Sequence, residues 1–143
     1  MIDALNASIM DEDYWQKMQQ GGVTATNYTI AMNHNLSETI KLVAVLYGQL
    51  AASQVAMLIE RPVDIRTAKT QGKVGIILGF QNIGPFEGDM SLLPVFYRLG
   101  IRIIQLTYHF RNICGDGCVE PNDAGLSMWG SSAERSLAGL SGG

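Results

Sequence analysis

Hydrophobic residues fall in short unbroken runs separated by segments of helical periodicity, the alternation of a parallel α/β protein. The clearest case is residues 73–108. KVGIILGF is almost wholly apolar from Val74 to Phe80, and a second run, IRIIQL, begins at Ile101. Strands buried on both faces of a parallel sheet have this composition. QNIGPFEGD and MSLLPVFYRLG lie between them, about one loop and one helix, and Gly100 stands where a helix ends. A parallel pair needs a crossover of this length, so the stretch predicts a βαβ unit.

The same alternation extends toward the start of the chain. Residues 2–5 predict a short first strand. Residues 11–20, DEDYWQKMQQ, have acids in front and Tyr14, Trp15 and Met18 at helical spacing, and they stop at Gly21-Gly22. VTATNYTI, residues 23–30, is β-branched and aromatic and predicts a second strand. Asn35 followed by Glu38 forms a capping box for a long helix to about residue 54, with Ile40, Val43, Leu46, Tyr47 and Leu50 on one stripe. A third strand is expected over 56–59, closed by Arg61-Pro62, and a short helix over 64–71 ending at Gly72. Ser131 with Glu134 opens one more short helix, and residues 131–143 otherwise have the small-residue composition of a flexible tail. The fold class is therefore α/β, with about five parallel strands and flanking helices in one domain.

Composition narrows the partners. With 143 residues, 47% of them hydrophobic, the chain has enough apolar material for one real core. Its net charge is −3 and it has no basic run, which argues against a nucleic-acid surface. No stretch has the length and uninterrupted apolar character of a membrane span, since residues 36–59 are broken by Glu38, Lys41, Gln49 and Gln54. A soluble, cytoplasmic protein is expected, with Cys114 and Cys118 as free thiols.

In parallel α/β folds the chemistry lies beyond the carboxyl ends of the strands. That rule selects Gln81 and Asn82 after the fourth strand, and Tyr108 and His109 after the fifth. Each has a bland reading beside the functional one. The two amides either face a pocket or satisfy strand-end backbone, and His109 is either a base or ligand or a solvated loop side chain. Asp3 either orients groups on the first strand or caps a turn. The loop after Tyr108, about twenty residues long, is too long for a mere connector. Its Asp116, Glu120 and Asp123 form an acidic face, and its C-x3-C pair is a weak metal pattern without a second ligand pair.

ILGFQN, LGIRIIQLTYH, GDGC and GLSMWG, preceded by DAL near the start and GGVTA before the second strand, resemble the membrane (renal) dipeptidase family of metallopeptidases, in its Gln-Asn variant branch. The resemblance covers residues 1–130. It implies a (β/α)8 TIM-type barrel, a two-zinc site and hydrolysis of small dipeptides. A complete barrel takes about 250 residues, so the expectation is a partial barrel, either an N-terminal fragment or a half-barrel that forms a homo-oligomer or pairs with a separate C-terminal half.

The family's residues carry over only in part. Its His-x-Asp zinc ligands after the first strand align with Leu5 and Ala7 of Asp3-Ala4-Leu5-Asn6-Ala7, and its metal-bridging glutamate aligns with Gln81. Tyr108 replaces its strand-five histidine, with His109 beside it, and its later zinc histidines are expected beyond residue 143. A neutral amide is a poor bridge between two cations. The sequence therefore predicts no metal ligand and no catalytic residue in this chain, leaving Gln81, Asn82, Tyr108, His109 and Asp3 as substrate-pocket candidates.

Overall fold

In the computed structural model, which describes residues 1–139, the strands β1 (Ile2–Asn6), β2 (Ala25–Ala31), β3 (Ala56–Leu58), β4 (Val74–Phe80) and β5 (Ile101–Ile104) form one sheet. Every pairing is parallel. The helices α1 (Glu12–Gln20), α2 (Leu36–Ala52), α3 (Pro62–Thr70) and α4 (Leu93–Arg98) alternate with the strands, and α5 (Met128–Gly139) follows a long loop. Among the described residues the sheet is not closed, and the architecture is that of a partial (β/α)8 barrel.

Strand order departs from chain order. β2 pairs directly with β4, from Ala25 opposite Gly75 to Ala31 opposite Phe80. β3 and β5 share the other edge of β4: β3 lies against Val74 to Ile76, and β5 against Leu78 to Phe80. The barrel path is thus β1-β2-β4-β5, with β3 as a three-residue side strand. Arg102 locks this fork. Its Nε donates to the Glu60 carbonyl just past β3, and its Nη1 donates to the carbonyls of Tyr97 and Ile101.

Alternation along the strands gives the sheet two unlike faces. Ile30, Val74, Ile76, Leu78 and Phe80 pack outward into the helix layer with Trp15, Met18, Val43, Leu46 and Phe96. Phe80, Phe86 and Phe96 form an aromatic cluster there, with Phe80 and Phe96 edge-to-face at 5.0 Å. The inner face mixes small, polar and branched residues: Ala25 and Asn27 on β2, Gly75, Ile77 and Gly79 on β4. A Cβ on Gly75 would strike the Ile59 side chain at 2.7 Å, and one on Gly79 would strike Asn27 Oδ1 at 2.5 Å. The glycines are what let those two side chains lie across the sheet.

The local signals hold where they are self-contained. Asn35 and Glu38 form the reciprocal capping box, Asp11 caps α1 through the Tyr14 N–H, and Gly100 takes a φ of +79° after α4. Three expectations shift. The third helix starts at Pro62, two residues before the expected 64, because proline suits the first helical turn and Asp64 reaches back to the N–H groups of Glu60 and Arg61. The crossover helix over 90–100 begins as a single 3₁₀ turn, Met90–Leu92, with α4 proper only from Leu93. The segment from Ser131 is not a tail as far as Gly139: it continues α5, with Ala133 buried and Leu137 against the core. Residues 140–143 lie outside the described residues.

Candidate functional site

The C-terminal ends of β2, β4 and β5 meet at one rim, and an amide network ties them together. Asn82, just past β4, accepts at Oδ1 from Asn112 Nδ2 at 2.8 Å and from the Gly84 N–H at 3.3 Å, and donates to Asn33 beyond β2 at 3.4 Å. Asn112 also donates to the Leu106 carbonyl and accepts from the Cys114 N–H. The side chain of Asn82 is thus engaged in joining strand ends. Asn112 and Asn33 are the members of this network that the sequence reading did not pick out. Asparagines in loops are too common for either to signal a role before its partners are known.

Gln81 is 4% exposed; its backbone N–H donates to the Ala31 carbonyl, and its Oε1 is buried with no hydrogen-bond partner. Asn27 on β2 is in a similar state. Its Nδ2 donates to the Ala4 carbonyl, which fixes the orientation of the amide and leaves Oδ1 unpaired over Gly79. Gln81 at the rim and Asn27 within β2 thus each carry a buried, neutral carbonyl oxygen with no partner among the described residues.

Tyr108 and His109 stack with ring centroids 3.7 Å apart and an interplanar angle of 21°. Their backbone is pinned by the GDGC segment, where Cys118 N–H donates to the Tyr108 carbonyl and Val119 N–H to that of His109. Gly117 permits this approach, since a Cβ there would lie 2.4 Å from the His109 carbonyl. The resulting loop lies over the end of β5 and borders an open cavity of about 440 Å³, lined by Gln105, Thr107, Tyr108, Asp116, Cys118 and Glu120 among others. Tyr108 lines it, whereas Gln81 and Asn82 do not. The structure places the strand-four and strand-five candidates on one rim without bringing them into one cavity.

The acidic loop residues are engaged internally. Asp116 accepts from the Ala124 N–H and pairs with Arg111; these contacts, the backbone one foremost, hold its carboxyl below the usual carboxylate range. Glu120 accepts from the Arg111 N–H, and Asp123 from the Gly125 N–H. Cys114 is fully buried and burial pushes its thiol up to about 11, whereas Cys118 is exposed. His34 Nδ1 accepts from the Met32 N–H, capping the turn after β2.

Asp3 lies elsewhere. Its register partner is Thr26, whose hydroxyl donates to it on the helix-facing side, and it also accepts from Asn6 Nδ2 and the Leu5 N–H. These contacts tie Asp3 to groups of β1 and β2.

Residues 3–137 match the membrane dipeptidase family, peptidase family M19. The chain belongs to the membrane dipeptidase family. No functionally curated protein matches its sequence. Among solved structures it is similar to an amidohydrolase from Pseudomonas aeruginosa, at 32% identity and a TM-score of 0.91, over 97% of this chain and 43% of that one. It is also similar to the probable dipeptidase PvdM from the same organism, at 19% identity and a TM-score of 0.77, over 94% of this chain and 43% of that one. A metallopeptidase from Rhodobacter sphaeroides, liganded with a phosphinate mimic of the dipeptide L-Ala-D-Ala, superposes at 15% identity and a TM-score of 0.71, over 85% of this chain and 46% of that one. The chain spans less than half the length of each.

Membrane dipeptidases are metallopeptidases, yet the donors here do not fit a metal pair. The position that ends β4 offers a neutral, buried amide, and Leu5 and Ala7 at the end of β1 offer no donor atom in their side chains. Divalent cations at such sites need charged oxygen or imidazole ligands. Among the described residues, no three of His, Cys, Asp and Glu converge. No helix among them is long and apolar enough to cross a membrane.

Proposed function

We propose that this chain supplies one half of the peptide-binding mouth of a dipeptidase-type barrel and does not itself hydrolyse peptides. The observation that carries this reading is Gln81, a neutral and buried amide at the strand end of a dipeptidase-family chain. Tyr108 lines the cavity at the mouth with His109 stacked on it, while the buried Gln81 and the hydrogen-bonded Asn82 sit on the same rim outside that cavity. Small dipeptides are the substrate class that the family supports. Hydrolysis in this family rests on metal-activated water, with zinc the expected ion. A carboxylate and imidazole set would have to come from outside residues 1–139. The two free thiols, Cys114 and Cys118, fit the reducing cytoplasm.

The test is a zinc titration and an L-Ala-D-Ala hydrolysis assay on the purified chain. The expected result is no stoichiometric zinc and no turnover above the protein-free control. Equimolar zinc binding together with hydrolysis would overturn the reading.

A further inference from the structure

α2 is apolar over a wider arc than its packing on the sheet requires. Val43 and Leu46 are buried in the core, whereas Leu42 and Val45, on the flank of that stripe, are 37% and 62% exposed. Ile9, in the segment between β1 and α1, is 87% exposed. These side chains line one open cavity of about 350 Å³, together with Tyr28 and Ile30 of β2. It lies over the outward face of β2, which has β1 and β4 on either side in the sheet, so the outer edges of β1 and β5 take no part in it.

Polar groups converge on the same space. His34 lines the cavity, and its Nδ1 accepts from the Met32 N–H at 3.2 Å, which puts the ring proton of the neutral imidazole on Nε2 as a donor. Tyr28 lines it as well. Burial alone raises the pKa of that phenol, so its proton stays in place and can be donated. Gln49 of α2 contributes an amide. Among the described residues the lining holds no Asp or Glu, in a chain whose net charge is −3. Donors set in apolar walls, with no carboxylate beside them, are the chemistry that recognises an apolar anion.

We propose that this groove binds an apolar monocarboxylate, its chain against Ile9, Ile30, Leu42 and Val45 and its carboxylate accepting from His34 Nε2–H and the Tyr28 hydroxyl. The volume is at the small end for ligand cavities, which suits a chain of roughly six to ten carbons rather than a long lipid. A zwitterionic dipeptide would bring an ammonium group for which the lining offers no carboxylate. The groove is therefore a different site from the peptide-binding mouth, and the inference does not rest on that reading.

Amide chemical shifts of the full chain, followed by NMR during titration with octanoate, test it. The expected result is saturable movement of residues 8–10 and 42–49, but not of residues 105–123, with a dissociation constant between about 10 μM and 1 mM. Octylamine and the dipeptide Leu-Leu should move the groove amides at least about tenfold more weakly. Val45→Glu changes an exposed position, so the far-UV circular dichroism spectrum should be unchanged, and the like charge it places in the groove should weaken octanoate by at least about tenfold. Tyr28→Phe keeps the ring and removes one donor, and should weaken octanoate by about tenfold. No saturable shift in the groove, octylamine or Leu-Leu acting there as tightly as octanoate, or octanoate binding unmoved by both substitutions would each overturn the proposal.

Discussion

Asn112 Nδ2 lies 2.8 Å from Asn82 Oδ1, and through that bond the long loop after β5 is fastened to the end of β4. The same Asn112 side chain donates to the Leu106 carbonyl and accepts from the Cys114 N–H at 2.7 Å, so one half-buried amide holds three points of the rim. Removing it leaves partners that water reaches poorly. Asn112→Ala should cost about 1–3 kcal/mol in urea unfolding, the range for stranding buried partners. Asn33→Ala is the control. Its bond to Asn82 is exposed and long at 3.4 Å, so its loss should change stability by less than about 0.5 kcal/mol.

The local parts of this fold were legible in the sequence, and the non-local parts were not. The capping box at Asn35 and Glu38, the βαβ unit around β4 and the break at Gly100 depend on residues within a few positions of each other. The fork that puts β3 and β5 on one edge of β4 depends on register between strands far apart in the chain, and Ala56 to Leu58 reads as an ordinary strand wherever it pairs. The site divides the same way. Gln81 and Tyr108 are candidates because a topological rule points to strand ends, whereas Asn27, Asn33 and Asn112 owe their hydrogen bonds to partners a sequence does not reveal. Asp3, the second residue of β1, sits opposite Thr26, and its bonds to Thr26 and Asn6 likewise depend on partners the sequence does not reveal.

The two thiols should differ sharply in reactivity. Cys118 is exposed in the loop, whereas Cys114 is fully buried with its pKa pushed up to about 11 by loss of solvent. Thiolate is the reacting species, so at pH 8 one equivalent of a thiol reagent should be consumed promptly and the second only on unfolding. The raised value also sets a stability trend. Above the ordinary thiol value of 9.0 the unfolded chain loses this proton while the folded chain keeps it, so folding should weaken as pH rises from about 9 toward 11. Cys114→Ala should remove that part of the alkaline decline. Two equally fast thiols in the native protein would contradict the buried placement.

Acid should open the loop over the 440 Å³ cavity. The Ala124 N–H and Arg111 favour the charged form of Asp116, so its folded-state value lies below the ordinary 3.8. A depressed carboxylate contributes stability that is present above the unfolded value and is lost as pH falls through the folded one. Protection of the Ala124 amide, relative to its intrinsic exchange rate at each pH, should therefore be high at neutral pH and fall below about pH 4, ahead of that of α2. Asp116→Asn should show the lower protection at every pH. If acid exposes α2 and Ala124 together in the native chain, the loop is not an independent unit held by this carboxylate.

Gln81 separates packing from chemistry at the rim. Its Oε1 is buried and unpaired, so the native amide bears a cost that an apolar side chain of similar length would not. Gln81→Met should therefore be neutral or stabilising by up to about 1 kcal/mol in thermal unfolding. Gln81→Glu restores the charge type that can bridge cations, but it does so in a buried place, and among the described residues no three of His, Cys, Asp and Glu converge. At pH 7 it should destabilise by about 2–3 kcal/mol. Burial raises a carboxyl pKa, so the loss should shrink as pH is lowered to about 5 and the group is protonated. Zinc should not reverse it. If instead the Gln81→Glu chain takes up one zinc ion and regains stability at neutral pH, other donors lie within reach of residue 81, and the misfit between this rim and a metal would rest on a single side chain.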